Sequence, residues 1–176
     1  MPPVDVPGYK QTIKYKGIFD FDKFYKMVYS WMMGNNYYFE EPSYKHKVPS
    51  EFGAEDEVEI KGWIKVNSYV RYWIFVTWHT WDQKEVEVIK EGKKVMLTKA
   101  RIWIELKNKV ELDYDDYFGK SKFTEALRTF LNKIVLKSRI ENVYTDELHY
   151  RMLKLHNLIK EYLDNETKTN AFYDVW

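Results

Sequence analysis

The sequence has no cysteine, so disulfides and thiolate metal sites are excluded from the start. Seven glycines and five prolines in 176 residues leave little material for long flexible connections. An excess of charge is also missing: 28 basic residues against 27 acidic ones give a net charge of +1. That balance argues against a domain built to coat nucleic acid, although a local basic patch remains available. No window approaches the ~20 apolar residues of a membrane-spanning helix. The first residues, MPPVDVPGYK, lack the apolar segment of a signal peptide. The default expectation is a soluble cytoplasmic protein. No phosphate-binding glycine loop, nucleophile elbow or kinase-like signature is present, so the residues point to no catalytic group and no cofactor.

Aromatic rings are abundant instead: 15 Tyr, 10 Phe and 7 Trp make up 18% of the chain. One reading is a core filled with large rings in a single domain over residues 1–176, long enough to bury that core without staples. The other is that some rings line a pocket or an interface. The stretch 70–81, VRYWIFVTWHTW, bears on both readings. It is β-branched and aromatic, without Gly or Pro, and predicts a strand. Val70, Tyr72, Ile74, Val76, Trp78 and Thr80 alternate on one face. Arg71, Trp73, Phe75, Thr77, His79 and Trp81 occupy the other. A strand apolar on both faces is covered on both.

Around this stretch, residues 1–8, with Pro2, Pro3 and Pro7, are expected to be extended and mobile. Residues 10–18 alternate Lys with Ile and Tyr, as in an edge strand protected by lysines. Asp20 or Asp22 caps a helix carrying Phe21, Phe24, Val28, Trp31 and Met32, and Gly34-Asn35-Asn36 ends it. Residues 37–48 predict an irregular strand interrupted by Pro42, and 49–57 a polar loop. Residues 57–66 predict a strand that a three-residue turn, Asn67-Ser68-Tyr69, brings into register with the next, pairing Ile64 with Tyr72 and Ile60 with Val76. A second turn is expected at Asp82-Gln83-Lys84. A third, at Glu91-Gly92, is expected to be three residues long, facing Met96, Ala100, Ile102, Ile104 and Leu106 inward, with a β-bulge as the alternative. After Asp116 the period becomes helical. Phe123, Leu127, Phe130, Leu131 and Ile134 form a stripe, residues 142–144 break it, and Thr145 caps a last helix with Leu148, Met152, Leu155, Ile159 and Leu163. Residues 165–176 form a polar tail whose Phe172, Tyr173 and Trp176 would let it dock.

The resulting class is α+β: a curved antiparallel sheet of about six strands packed on C-terminal helices. Over residues 9–163 this order of strand, helix, antiparallel hairpins and C-terminal helix resembles the helix-grip fold of START-related and Bet v 1-like (polyketide cyclase-like) ligand carriers. That family usually has two short helices after its first strand, where only residues 21–33 are clearly helical here. The resemblance implies an apolar cavity between sheet and C-terminal helix, and a lipid-like ligand.

On that reading the ligand-binding residues are Ile64, Tyr72, Ile74, Val76, Ile102 and Ile104 of the sheet with Phe130 and Ile134 of the helix, Tyr72 supplying a polar anchor. The alternative is an interaction module or homodimer with a filled core. It would work through the opposite face, with Trp63, Arg71, Trp73, Phe75 and Trp103 as interface and Trp81, Lys61, Lys65 and Arg101 beside them. Folding of the chain's own helix or tail over these rings would bury them instead. Single-stranded nucleic acid, which such mixed faces can also bind, ranks last on net charge. His149 and His156 are seven residues apart, too far for a helical metal pair, so no metal site is expected. His79, among tryptophans, reads as a stacked imidazole more readily than as a proton shuttle. Glu111, Asp113, Asp115 and Asp116 lack EF-hand spacing and read as charge favoured at a helix start.

Overall fold

Period-two patterning in the middle of the chain and period-3.6 patterning at its ends give an α+β molecule. The computed structural model describes residues 3–50, 53–90, 93–118 and 121–167. The strands are β1 (Val4–Phe19), β2 (Tyr38–Ser50), β3 (Gly53–Lys65), β4 (Val70–Lys90) and β5 (Lys93–Leu112). They form one antiparallel sheet in the order β1-β5-β4-β3-β2. Helix α1 (Phe21–Gly34) connects β1 to β2, while α2 (Lys122–Phe130) and α3 (Thr145–Thr167) follow the sheet.

The register expected between β3 and β4 is present: Ile64 pairs with Tyr72 and Ile60 with Val76. The Asn67 side-chain oxygen closes the turn by accepting the N–H groups of Tyr69 and Val70, both at 2.8 Å. Val70, Tyr72, Ile74, Val76, Trp78 and Thr80 are therefore buried along one face. Against it pack Phe24, Val28 and Met32 of α1 and Leu148, Met152, Leu155, Ile159 and Leu163 of α3 in one continuous core. Of the two expected caps, Asp20 is the one used: it accepts the Lys23 N–H at 2.9 Å, and Asp22 lies in the first turn.

The turn expected at residues 82–84 does not form. β4 runs on to Lys90, so the sheet has five strands and not about six. Pairing passes from Trp81↔Arg101 to Lys84↔Lys99, leaving Asp82 and Gln83 opposite the single residue Ala100. This is a β-bulge, and Asp82 takes its left-handed conformation at φ 56°. The bulge also corrects the next turn. Lys90 pairs with Lys93 across a two-residue connection, residues 91–92, which lie outside the described residues. Ala100, Ile102, Ile104 and Leu106 still face inward because the bulge absorbs the odd residue. Met96 does not, and is 56% exposed.

Two boundaries also move. β1 begins at Val4, pairing Val4 with Leu112 through Pro7 with Lys109, so most of the expected mobile start belongs to the sheet. The pairing shifts between Pro7 and Lys10, where a Cβ on Gly8 would lie 1.8 Å from Asn108 Oδ1. The polar loop expected at 49–57 is mostly strand, since β3 starts at Gly53. Pro42, which has no N–H to donate, sits in the β2 irregularity between Glu40 and Ser43. The tail rings Phe172, Tyr173 and Trp176 lie outside the described residues.

The helical chain after residue 121 is nearly continuous, and Thr145 does not cap it. Leu131–Val135 and Ile140–Tyr144 are π-helical turns around a short helical turn, Lys137–Arg139. Leu136 N–H reaches Leu131 O at 2.7 Å, and the Thr145 hydroxyl donates to Ile140 O at 2.8 Å. A π turn holds one residue more than an α turn. At about 100° per residue, two such insertions turn the downstream face by roughly half a revolution. In an unbroken α-helix the stripe through Phe123, Leu127, Phe130 and Ile134 would continue into the stripe of α3. Here α3 faces the core and the α2 stripe faces outward.

Candidate functional site

The two faces of the sheet and the helical segment after it hold the candidate side chains. On the inner face Tyr72, Ile74, Val76, Ile102 and Ile104 are fully buried among α1 and α3, and Ile64 is partly buried beside them. The Tyr72 hydroxyl donates to Glu147 Oε2 at 3.0 Å, and Arg151 holds the same carboxylate through Glu147 Oε1 at 2.8 Å. Burial, then the hydrogen-bonded Glu147 carboxylate, push the Tyr72 phenol well above its ordinary value. Nearby Tyr37 is pushed up to about 12, again mainly by burial. Phe130 and Ile134 do not join the inner-face residues. They are 50% and 67% exposed, because α2 is turned outward by the π turns that follow it.

Beneath those turns lies a cleft of about 490 Å³ between the start of β1, the end of β5 and residues 132–141. Val4, Val6, Leu112 and Ile140 are its apolar lining, and Lys133, Lys137 and Glu141 stand at the rim with Asn132. Asn132 is held by the Tyr69 hydroxyl at 2.7 Å. The cleft has no counterpart in the sequence pattern, because Val4 and Val6 lie in the stretch expected to be mobile. Their alternation with Asp5 was the available signal.

The outer face carries a ladder of rings. Trp73 stacks on Phe75 at 5.9 Å, Trp63 lies 6.3 Å from Trp73, and Tyr38 lies 4.9 Å from Trp63. The Arg71 guanidinium covers Trp63 and Tyr114, while Lys109 covers Trp73. Trp73 Nε1 donates to Glu111 at 2.7 Å. Trp103, with Trp81, Arg101 and Lys14, lines a second cleft of about 380 Å³. No described helix lies over this face, yet Trp63, Trp73, Phe75, Trp81 and Trp103 are each half-buried by one another and by these cations. His79 stacks on Trp81 at 3.9 Å, as expected of a structural imidazole.

Asp113 is not solvated charge at a helix start. It is fully buried, accepts Tyr117 N–H at 2.8 Å, and pairs with buried Arg128 of α2 at 3.3 Å. Ser121 caps α2 instead. A second pair invisible in the sequence joins His46 Nδ1 to buried Asp56 at 2.6 Å. It lines a polar cleft of about 400 Å³ with Asp20, Asp22 and Glu85. The cross-strand register of β2 and β3, which sets His46 opposite Asp56, creates it.

No protein-family model matches this chain, and no curated protein sequence matches it. No helix among the described residues is long and apolar enough to cross a membrane.

Proposed function

We propose that the protein binds a small lipid-like ligand, without catalysis, in the cleft between the β1–β5 edge and the helical segment at residues 132–141. The observation that carries this reading is the pairing of an apolar lining, Val4, Val6, Leu112 and Ile140, with a rim on which Lys133 and Lys137 outnumber the single carboxylate of Glu141. An apolar chain ending in an anionic head matches both parts, and a few polar groups around an apolar floor are what small-molecule sites use. In this reading the inner-face residues Tyr72, Ile74, Val76, Ile102 and Ile104, with Ile64 packed against them, belong to the filled core and do not line the cleft. The Tyr72 hydroxyl, bonded to Glu147, orients α3 and leaves head-group recognition to the two lysines. A fluorescent fatty acid should bind saturably near one site per chain, and native mass spectrometry should show the same stoichiometry. Val6→Trp should block binding in a folded protein, and Lys137→Glu should weaken it several-fold. Absence of saturable binding, or binding indifferent to both changes, would overturn the reading.

The half-buried ring ladder favours a second reading, a homodimer or adaptor surface through Trp63, Arg71, Trp73, Phe75 and Trp103. Trp63→Ser with Trp73→Ser should then turn a sedimenting dimer into a folded monomer, whereas a monomeric wild type would eliminate it. Tight binding of single-stranded DNA at physiological salt would favour the nucleic-acid alternative.

A further inference from the structure

The largest uncovered apolar side chains of the helical segment lie on one stripe. Phe123 is 78% exposed, and Leu127, Phe130 and Ile134 follow it at helical spacing with Val135 alongside, all exposed. Helices at a protein surface ordinarily turn such a stripe to the core and their charges to water. Here the arrangement is reversed, and two features hold it so. Arg128, on the opposite side of α2, is drawn inward to buried Asp113, and the π turns rotate the α3 stripe away from that of α2. The segment is also cationic. Lys122, Lys133, Lys137 and Arg139 are exposed on the same segment and pair with no carboxylate among the described residues. Only Glu125 and Glu141 oppose them between residues 122 and 141.

We propose that this segment, residues 122–139, docks the protein on an anionic lipid surface, its apolar stripe lying in the interface plane and its bases against lipid phosphates. The charge decides among possible occupants. A second copy would bring Lys122, Lys133, Lys137 and Arg139 against their equivalents, since a two-fold interface sets a patch on itself. A membrane carrying anionic head groups attracts those bases and receives the rings at acyl depth. The inference goes beyond ligand binding in the neighbouring cleft and does not depend on it.

The test uses the full chain with vesicles of phosphatidylcholine, alone or mixed with phosphatidylglycerol. Co-sedimentation should be strong with the mixed vesicles, weak with phosphatidylcholine alone, and reduced by salt. Phe123→Ser with Phe130→Ser, both at exposed positions, should lower the affinity about tenfold or more. Lys122→Glu with Arg139→Glu should do the same, at about tenfold or more, because each base near an anionic surface adds to binding. Circular dichroism of both variants should match the parent. Since the chain has no cysteine, Phe123→Cys carries a single environment-sensitive dye, whose emission should shift to the blue only with anionic vesicles. No binding to the mixed vesicles, equal binding to both kinds, or a dye shift that follows protein concentration without lipid would each overturn the proposal. The last result would assign the face to a dimer.

Discussion

Asp113 and Arg128 form the most deeply buried ion pair among the described residues. Asp113 occupies a left-handed turn position at φ 57° and offers its two oxygens to Tyr117 N–H, Phe118 N–H and the Arg128 guanidinium. Burying two charges is costly, and only mutual satisfaction offsets the cost. Removing one partner strands the other. Arg128→Met should therefore destabilise by about 3 kcal/mol in urea melts, and adding Asp113→Asn should recover part of that loss. A cost under about 1 kcal/mol would mean that the two backbone N–H groups alone satisfy the carboxylate. The sequence showed Asp113 only as one acid among four. Nothing local distinguishes a carboxylate that will meet an arginine fifteen residues later from one that stays in water.

The elements divide by how local their causes are. α1 was legible because cap, apolar stripe and terminating Gly-Asn sequence lie within one window. The β3–β4 hairpin was legible because an apolar face on each strand admits one register. Substitutions should report that parity. Val76→Asp sets an unpaired carboxylate in the core and should cost more than about 4 kcal/mol, if the protein folds at all. Thr77→Asp, facing Glu59 and Glu105 on the outer side, should cost only about 1 kcal/mol from like-charge contact. Chemical denaturation of the two variants would measure the difference, and equal costs would contradict the assignment of faces. The segment from 122 to 144 was legible as an amphipathic helix but not in its orientation. Two extra residues in π turns reverse the face it presents, and periodicity alone does not register them.

At the scale of the whole molecule, titration should limit stability at both ends of the pH range. Glu105, on the outer face, is raised by burial, but Lys10 at 2.5 Å and Lys107 outweigh that and hold its carboxyl below the usual range. Its contribution is present above the unfolded carboxylate value, about 4, and is lost as pH falls through the lower folded value. Glu105→Gln should flatten the acid limb. Burial raises Tyr37 to about 12, and burial together with Glu41 raises Tyr25 to about 12. The stability they supply is complete below the unfolded phenol value near 10 and disappears as pH rises toward 12. Tyr37→Phe should shift that alkaline loss upward. Melting midpoints followed across pH, for the parent and both variants, check each limb, and unchanged limbs would remove these groups from the account.

Composition and periodicity by themselves determined the α+β class, the inner-face parity of β3 and β4, α1 with an aspartate cap at Asp20 or Asp22, and the apolar stripe of α3. Each depends on neighbours within a few positions, where backbone geometry repeats. The tertiary structure decided three further matters: that β4 passes through residues 82–84 as a bulged strand, that Val4 and Val6 join the sheet edge, and that the α2 stripe turns away from the core. All three depend on offsets of a residue or two, or on a strand partner about a hundred positions away. A bulge opposite Ala100 gains stability only once β5 is in place, and β1 can start at Val4 only because Leu112 offers its backbone there. Local pattern carries no record of a partner that the chain has yet to meet.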